Sequence, residues 1–317
     1  MYQEKLIQEI QNKIDSSKSL IETIANALDI SYDAAHRRIS MKSKFSIDES
    51  VRLANHFGLS LDKMFQKSDH VLVKKTKEIQ SLNDLSDYLE NSFNTLREFS
   101  PGMETTLFYS AKDIPIFYTI NSGLLSRFKK YVWLNLLSSA DLEMSFESFL
   151  SKTPMDNRGR KLFEFYSSGR VKEIWNDTTI NSTLQQILYF SEAGLLSVEN
   201  GIILCEQVKE LLYNLEKKCT PNNDQYQLYY HDLLILNNNV LVSDKNKKSL
   251  FVPHSMLSYF ITSDTEICQQ VSNFYQHQLK NSSLLNTAGT RDKKVFFNKA
   301  YQKTDLFKAR ISALIDV

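Results

Sequence analysis

The chain has few of the residues that break, clamp or sharply turn a backbone. Its 317 residues include eight glycines, five prolines, three cysteines and two tryptophans. So little Gly and Pro argues against a protein of many tight hairpins and for long helices with few corners. The cysteines, Cys205, Cys219 and Cys268, are odd in number and show no metal-type spacing. That excludes a disulfide framework and a cysteine-ligated zinc site, and it fits reduced thiols in a cytoplasmic protein. No apolar run approaches the roughly 18 residues of a membrane helix, and the first residues are charged and amphipathic rather than a signal peptide. No membrane partner is therefore expected. An excess of one charge sign is missing as well: 38 Lys and Arg stand against 37 Asp and Glu. Contact with a polyanion must then come from local clustering.

Catalytic constellations are also lacking. Gly-rich phosphate loops, Ser-Xaa-Xaa-Lys in a catalytic setting and metal-spaced His or Cys sets are absent or unsupported. His254 and His277 are isolated, and His231 and Asp232 adjoin on an expected strand, where neighbours face opposite sides. No enzyme activity, cofactor or metal is expected. One anion-binding alternative, the polar run Ser282 to Arg291 ahead of a helix, reads better as an ordinary loop and cap.

What is present is an ordinary globular balance, 42% hydrophobic and 24% charged, in a chain long enough for two domains. Residues 2–14 form a first amphipathic helix on Leu6, Ile7, Ile10 and Ile14. Ile24, Ala25 and Leu28 then give one apolar face to a second helix, Ile30 plugs a turn, and Ser31 caps a third helix. On that third helix Ala35 and Ile39 pack inward, and the small Ala25 and Ala35 let the two backbones approach. Tyr32, Asp33, His36 and Arg37 share its outer face. Ser46 and Glu49 make a capping-box start for a fourth helix on Val51, Leu53, Ala54 and Phe57, with Gly58 beyond its end. Ser60 opens a short fifth helix on Leu61, Met64 and Phe65.

This order of elements resembles the λ-repressor-like, Xre/Cro-type DNA-binding domain of bacterial regulators. Residues 24–31 look like its second helix and turn, and residues 46–49 through 57–65 look like its closing segment. The resemblance covers about a fifth of the chain. It implies a five-helix domain, a recognition helix over residues 31–39 in the major groove, and double-stranded DNA as partner. Three positions depart from the family pattern: Ile21 stands where a phosphate-contacting Gln is common, Asp29 where the turn usually has Gly, and Ile39 where Glu is common.

Charge is arranged to match locally. Residues 1–66 carry nine Lys or Arg and nine Asp or Glu, yet Arg37, Arg38, Lys42 and Lys44 form a run with no acid between Asp33 and Asp48. Such a run suits phosphate contacts. The candidate DNA-contacting residues are Ser31, Tyr32, Asp33, His36, Arg37, Arg38, Lys42 and Lys44. Arg37 is the first choice for a bidentate contact to guanine, with His36 and Tyr32 for secondary contacts. Asp33 either accepts from cytosine or favours the helix N-terminus. Taken singly, each charged residue fits a solvated surface equally well.

Beyond residue 67 the composition changes. Residues 68–100 read as a basic linker around Val71, Leu72 and Val73, then an amphipathic helix on Ile79, Leu82, Leu85, Leu89, Phe93 and Leu96. That stripe either pairs two subunits of a homodimer as a short coiled coil or packs on its own chain. Residues 101–317 read as an α+β sensing or oligomerisation domain open to a small-molecule or protein effector. Expected there are a strand at 105–111, helical pieces over 114–137 around Asn121-Ser122-Gly123, and helices over 170–176, 180–194 and 198–219, the second capped by Thr179 or a neighbouring polar residue. A hairpin or meander follows over 226–253, then helices over 265–279 and 291–315, the last burying Val295, Phe296, Leu306, Ile311 and Leu314. The fold class is thus mainly α with an α+β C-terminal domain, and the function expected is transcription regulation. Two rivals remain at this level: a protein-interaction or signalling adaptor with a degenerate helix-turn-helix domain, and an enzyme tethered to DNA.

Overall fold

The computed structural model describes residues 2–15, 18–65, 70–120, 123–137, 144–154, 158–234 and 236–316. The chain is mainly α, 57% helical, with an α+β part built on a mixed sheet of eight strands. It divides into two compact units, Met1–Leu72 and Val73–Val317.

The first unit consists of α1 (Tyr2–Gln11), α2 (Leu20–Leu28), α3 (Tyr32–Ile39), α4 (Ile47–Phe57) and α5 (Leu61–Phe65). Leu6, Ile10, Ile24, Ala25, Leu28, Ala35, Leu53 and Met64 meet in one core. Each start and stop has a chemical cause. The Ser19 side chain caps α2, the Ser31 side chain caps α3, and Ser46 with Glu49 forms a reciprocal capping box on α4. Two helices end in the left-handed region. Gly58, at φ 62, ends α4. Asp29, at φ 58, ends α2 while its N–H bonds to the Ala25 carbonyl. A short polar side chain tolerates that conformation, so the turn closes without glycine. The apolar face of α4 is narrower than expected: Leu53 and Ala54 are buried, but Val51 is exposed.

In the second unit β1 (Lys74–Lys75) and α6 (Leu82–Leu96) precede β2 (Thr106–Ser110). Then come α7 (Leu124–Leu137), α8 (Phe146–Lys152), α9 (Arg160–Ser168) and β3 (Arg170–Trp175). Next are α10 (Asn181–Glu192), α11 (Val198–Lys218), β4 (Tyr226–Tyr230), β5 (Val240–Ser243), β6 (Lys248–Pro253) and β7 (Tyr259–Thr262). The chain closes with α12 (Thr265–Lys280), β8 (Ser283–Leu284) and α13 (Thr290–Ser312). The sheet order is β1-β7-β6-β5-β2-β3-β4-β8. β2, β3 and β4 are parallel neighbours, and every other pairing is antiparallel. Parallel pairing needs crossovers, supplied by α7 to α9 between β2 and β3 and by α10 with α11 between β3 and β4. Alternate strand residues feed two cores. Leu107, Val171, Trp175, Leu228 and Val242 join the large core shared with α6, α7, α10, α11 and α13. Phe108, Ile174 and Leu241 face Cys268, Tyr275 and Leu279 of α12.

Several expectations are corrected by this arrangement. Residues 170–175 form the central strand β3, not a helix. Thr179 does not cap α10; its hydroxyl donates to the Ala111 carbonyl at 2.8 Å and accepts from the Asn176 N–H. Within 226–253 only β5 and β6 form a hairpin, because β4 pairs with β3 and β8. On α13, Phe296 and Ile311 are buried, but Val295 and Leu306 are exposed. Leu85, Leu89 and Leu96 of α6 enter the large core, one of the two placements expected of that stripe. Asn121 and Ser122, at the expected break before α7, lie outside the described residues.

One acid lies inside the sheet. Glu173 is fully buried on β3, and it accepts from the Tyr118 hydroxyl at 2.8 Å, Trp175 Nε1 at 2.7 Å and the Tyr226 hydroxyl at 3.0 Å. Burial pushes its carboxyl up to about 7, against the three hydrogen bonds, which favour the charged form.

Candidate nucleic-acid interface

Helix α3 is eight residues long, and its two sides differ sharply. Ala35 is fully buried against the brace of the first unit, whereas Tyr32 is 52% exposed and Asp33, His36 and Arg37 are exposed beside it. Positions 32, 33, 36 and 37 fall on one face of a 3.6-residue period, so the structure brings these four side chains together toward solvent. The Ser31 hydroxyl is already used: it accepts from the Ala34 N–H at 3.3 Å as the helix cap. Arg37 makes no ion pair among the described residues, and the exposed Lys42 and Lys44 follow it on the loop to α4.

Arg38 is placed differently from the other seven candidates. Its guanidinium turns inward and donates to both Glu49 carboxylate oxygens, at 2.7 and 3.1 Å, and to the Ala34 carbonyl at 3.1 Å. Glu49 at the same time accepts from the Ser46 N–H at 2.9 Å. Burial raises the Glu49 pKa, but the Arg38 hydrogen bond, the Ser46 N–H and the charges of Arg38 and Arg52 outweigh it, leaving the carboxyl below its usual value. One acid thus ties the end of α3 to the start of α4. The capping box was legible from Ser46 and Glu49; the Arg38 pairing was not, because it joins residues 11 apart across a loop.

The loop itself is held by a residue outside the motif. Gln3 on α1 donates to the Arg38 carbonyl at 2.8 Å and the Ser43 carbonyl at 2.9 Å, and accepts from the Phe45 N–H at 3.0 Å. The Lys42 and Ser43 N–H groups both bond to the Arg37 carbonyl, at 2.8 and 3.0 Å, with Met41 in the left-handed region at φ 62. Lys42 and Lys44 therefore project from a fixed backbone. No local sequence signal marks Gln3, since its partners lie 35 to 42 residues away. Replacing Gln3 with alanine removes three hydrogen bonds and costs about 1–3 kcal/mol of stability in the first unit. Urea unfolding of the full chain measures this, and a change within experimental error would show that the loop is held by other contacts.

Among the described residues no group of three His, Cys, Asp or Glu comes close enough to hold a metal ion, and no helix is long and apolar enough to cross a membrane. The three cysteines are buried and unpaired. No protein family, curated protein or solved structure matches the chain.

Proposed function

We propose that this protein is a sequence-specific, DNA-binding transcription regulator whose first unit is a λ-repressor-like, Xre/Cro-type helix-turn-helix domain. The observation that carries the reading is the face of α3: Tyr32, Asp33, His36 and Arg37 exposed together on a helix whose opposite side, Ala35, is buried against α2. An eight-residue helix is long enough to place three or four side chains against base edges in the major groove. Arg37 reads guanine, Lys42 and Lys44 neutralise phosphates, and Arg38 acts through Glu49 by fixing the angle between α3 and α4. The protein works as a homodimer in the cytoplasm, because a single α3 reads too few base pairs for useful specificity. The second unit senses an effector or sets dimer geometry.

The test is selection of genomic fragments by the purified full chain at physiological salt, followed by affinity measurement on the enriched site. Recovery of one recurring motif supports the reading; recovery of no motif rejects it. A second reading is favoured by the charge balance of residues 1–66, where nine positive and nine negative groups cancel. On that reading the unit is a degenerate helix-turn-helix that docks a protein, and DNA affinity with salt dependence would be absent.

A further inference from the structure

Helix α11 presents two kinds of face. Toward α13 its charges are neutralised: Glu206 pairs with Lys308, Lys209 with Asp305 at 2.7 Å, and Glu216 with Lys294 at 2.7 Å. On another side Glu210, Asn214 and Lys218 follow one another at four-residue steps and line a cleft of about 430 Å³. That volume lies within the range of small-molecule sites. Among the described residues Glu210 and Asn214 have no hydrogen-bond or ionic partner, and Lys218 has no ion pair, its ammonium lying 5.8 Å from the Tyr226 ring.

The cleft is built rather than incidental. Gln207 of α11 accepts from the Leu125 N–H at 2.7 Å, which fastens the start of α7 to the cleft wall. Ser126, only 5% exposed, lines the cleft and has no partner among the described residues. The floor includes Tyr118, whose hydroxyl donates to Glu173 at 2.8 Å and lies 3.3 Å from the Tyr166 hydroxyl, so its ring is a fixed part of the cleft. Leu125, Leu211, Leu215 and Phe163 supply apolar walls.

An acid, an amide and a cation in a row define the ligand. Eight residues of helix set Glu210 and Lys218 about 12 Å apart along the axis. We propose that this cleft binds a short, unmodified peptide of two or three residues. Its terminal ammonium meets Glu210, its terminal carboxylate meets Lys218, and Asn214 pairs with a peptide group between them. An extended tripeptide spans about 10 Å, about 2 Å short of that separation, a difference within the reach of the two flexible side chains. Free amino acids are too short to engage both charges, and longer peptides place one terminus outside the cleft. Peptide binding stands independently of DNA binding; its role as effector rests on the regulator reading.

Isothermal titration calorimetry on the full chain, without DNA, tests the proposal with trileucine, N-acetyl-trileucine, trileucine amide and leucine. Free trileucine binds, and blocking either terminus weakens binding at least about tenfold, the loss expected for one charge-assisted contact. Glu210→Gln removes the discrimination against the acetylated peptide, and Lys218→Gln removes the discrimination against the amide. Both residues are exposed, so the variants keep the fold. Absence of trileucine binding at millimolar concentration, binding indifferent to both blocked termini, or equal binding of leucine would each overturn the proposal. Because DNA is absent, none of these results bears on the first unit.

Discussion

Replacing Arg37 with alanine lowers affinity for the selected DNA site by about 5- to 150-fold and relaxes preference at one base pair. A bidentate arginine–guanine contact contributes about 1–3 kcal/mol of discrimination, which sets that range. Its side chain is exposed on α3 and has no hydrogen bond or ion pair among the described residues, so the substitution leaves the fold intact. Lys42→Ala behaves differently. It weakens binding to all sequences alike and reduces the slope of log affinity against log salt by about one unit, as loss of a phosphate contact does. Equal loss at cognate and scrambled sites for Arg37→Ala would move this arginine from base to phosphate.

Glu173→Ala has the largest expected effect on stability. The substitution leaves the indole N–H of Trp175 and the hydroxyls of Tyr118 and Tyr226 without their shared acceptor in the middle of the core. With the cavity it also creates, the loss is about 3–5 kcal/mol of the second unit's stability. Glu173→Gln keeps an acceptor for Trp175 and costs less. The acid also imposes a pH dependence whose sign follows from its shift. The folded pKa, about 7, lies above the ordinary 4.5, so the folded state holds the proton more tightly. Stability from this group is therefore greatest below pH 4.5, falls as pH rises from about 4.5 to about 7, and then stays level. In Glu173→Gln that decline disappears, which denaturant unfolding at several pH values reads directly. An alanine variant within about 0.5 kcal/mol of the parent would contradict the network, since surface changes are of that size.

Glu173 also explains what the sequence concealed. Val171, Glu173 and Trp175 alternate with Lys172 and Ile174, as a strand requires, but the inward set contains an acid where an apolar residue is expected. With the period broken at its centre, the segment resembles a charged helix. Three donors brought by residues 118, 175 and 226 make that acid tolerable, and no local pattern announces partners so far apart. For a related reason β4 does not belong to the hairpin or meander that its local pattern suggests: its neighbours are 55 residues upstream and 53 downstream in paired register, Val171 opposite Tyr226 and Ser283 opposite Tyr230.

In the first unit, by contrast, most of the architecture was readable. Serine caps, the capping box and the Gly58 stop are local chemistry, confined to one turn of helix. The exposed face of α3 follows from helical spacing, with Ala35 as its buried anchor. What escaped was tertiary. Arg38 was read with Arg37 as an outward cation, whereas its guanidinium is occupied by Glu49. Gln3 gave no sign of the three bonds by which it holds the basic loop.

The central claim, that the first unit binds DNA through a fixed basic loop and one face of α3, is tested most directly by salt titration. Affinity of the full chain for its enriched site is measured from about 50 to 300 mM salt beside a scrambled duplex. The account predicts that log affinity falls linearly with log salt for both duplexes, with the enriched site tighter throughout by at least about a thousandfold. Binding that is insensitive to salt, or equal for the two duplexes, would contradict it.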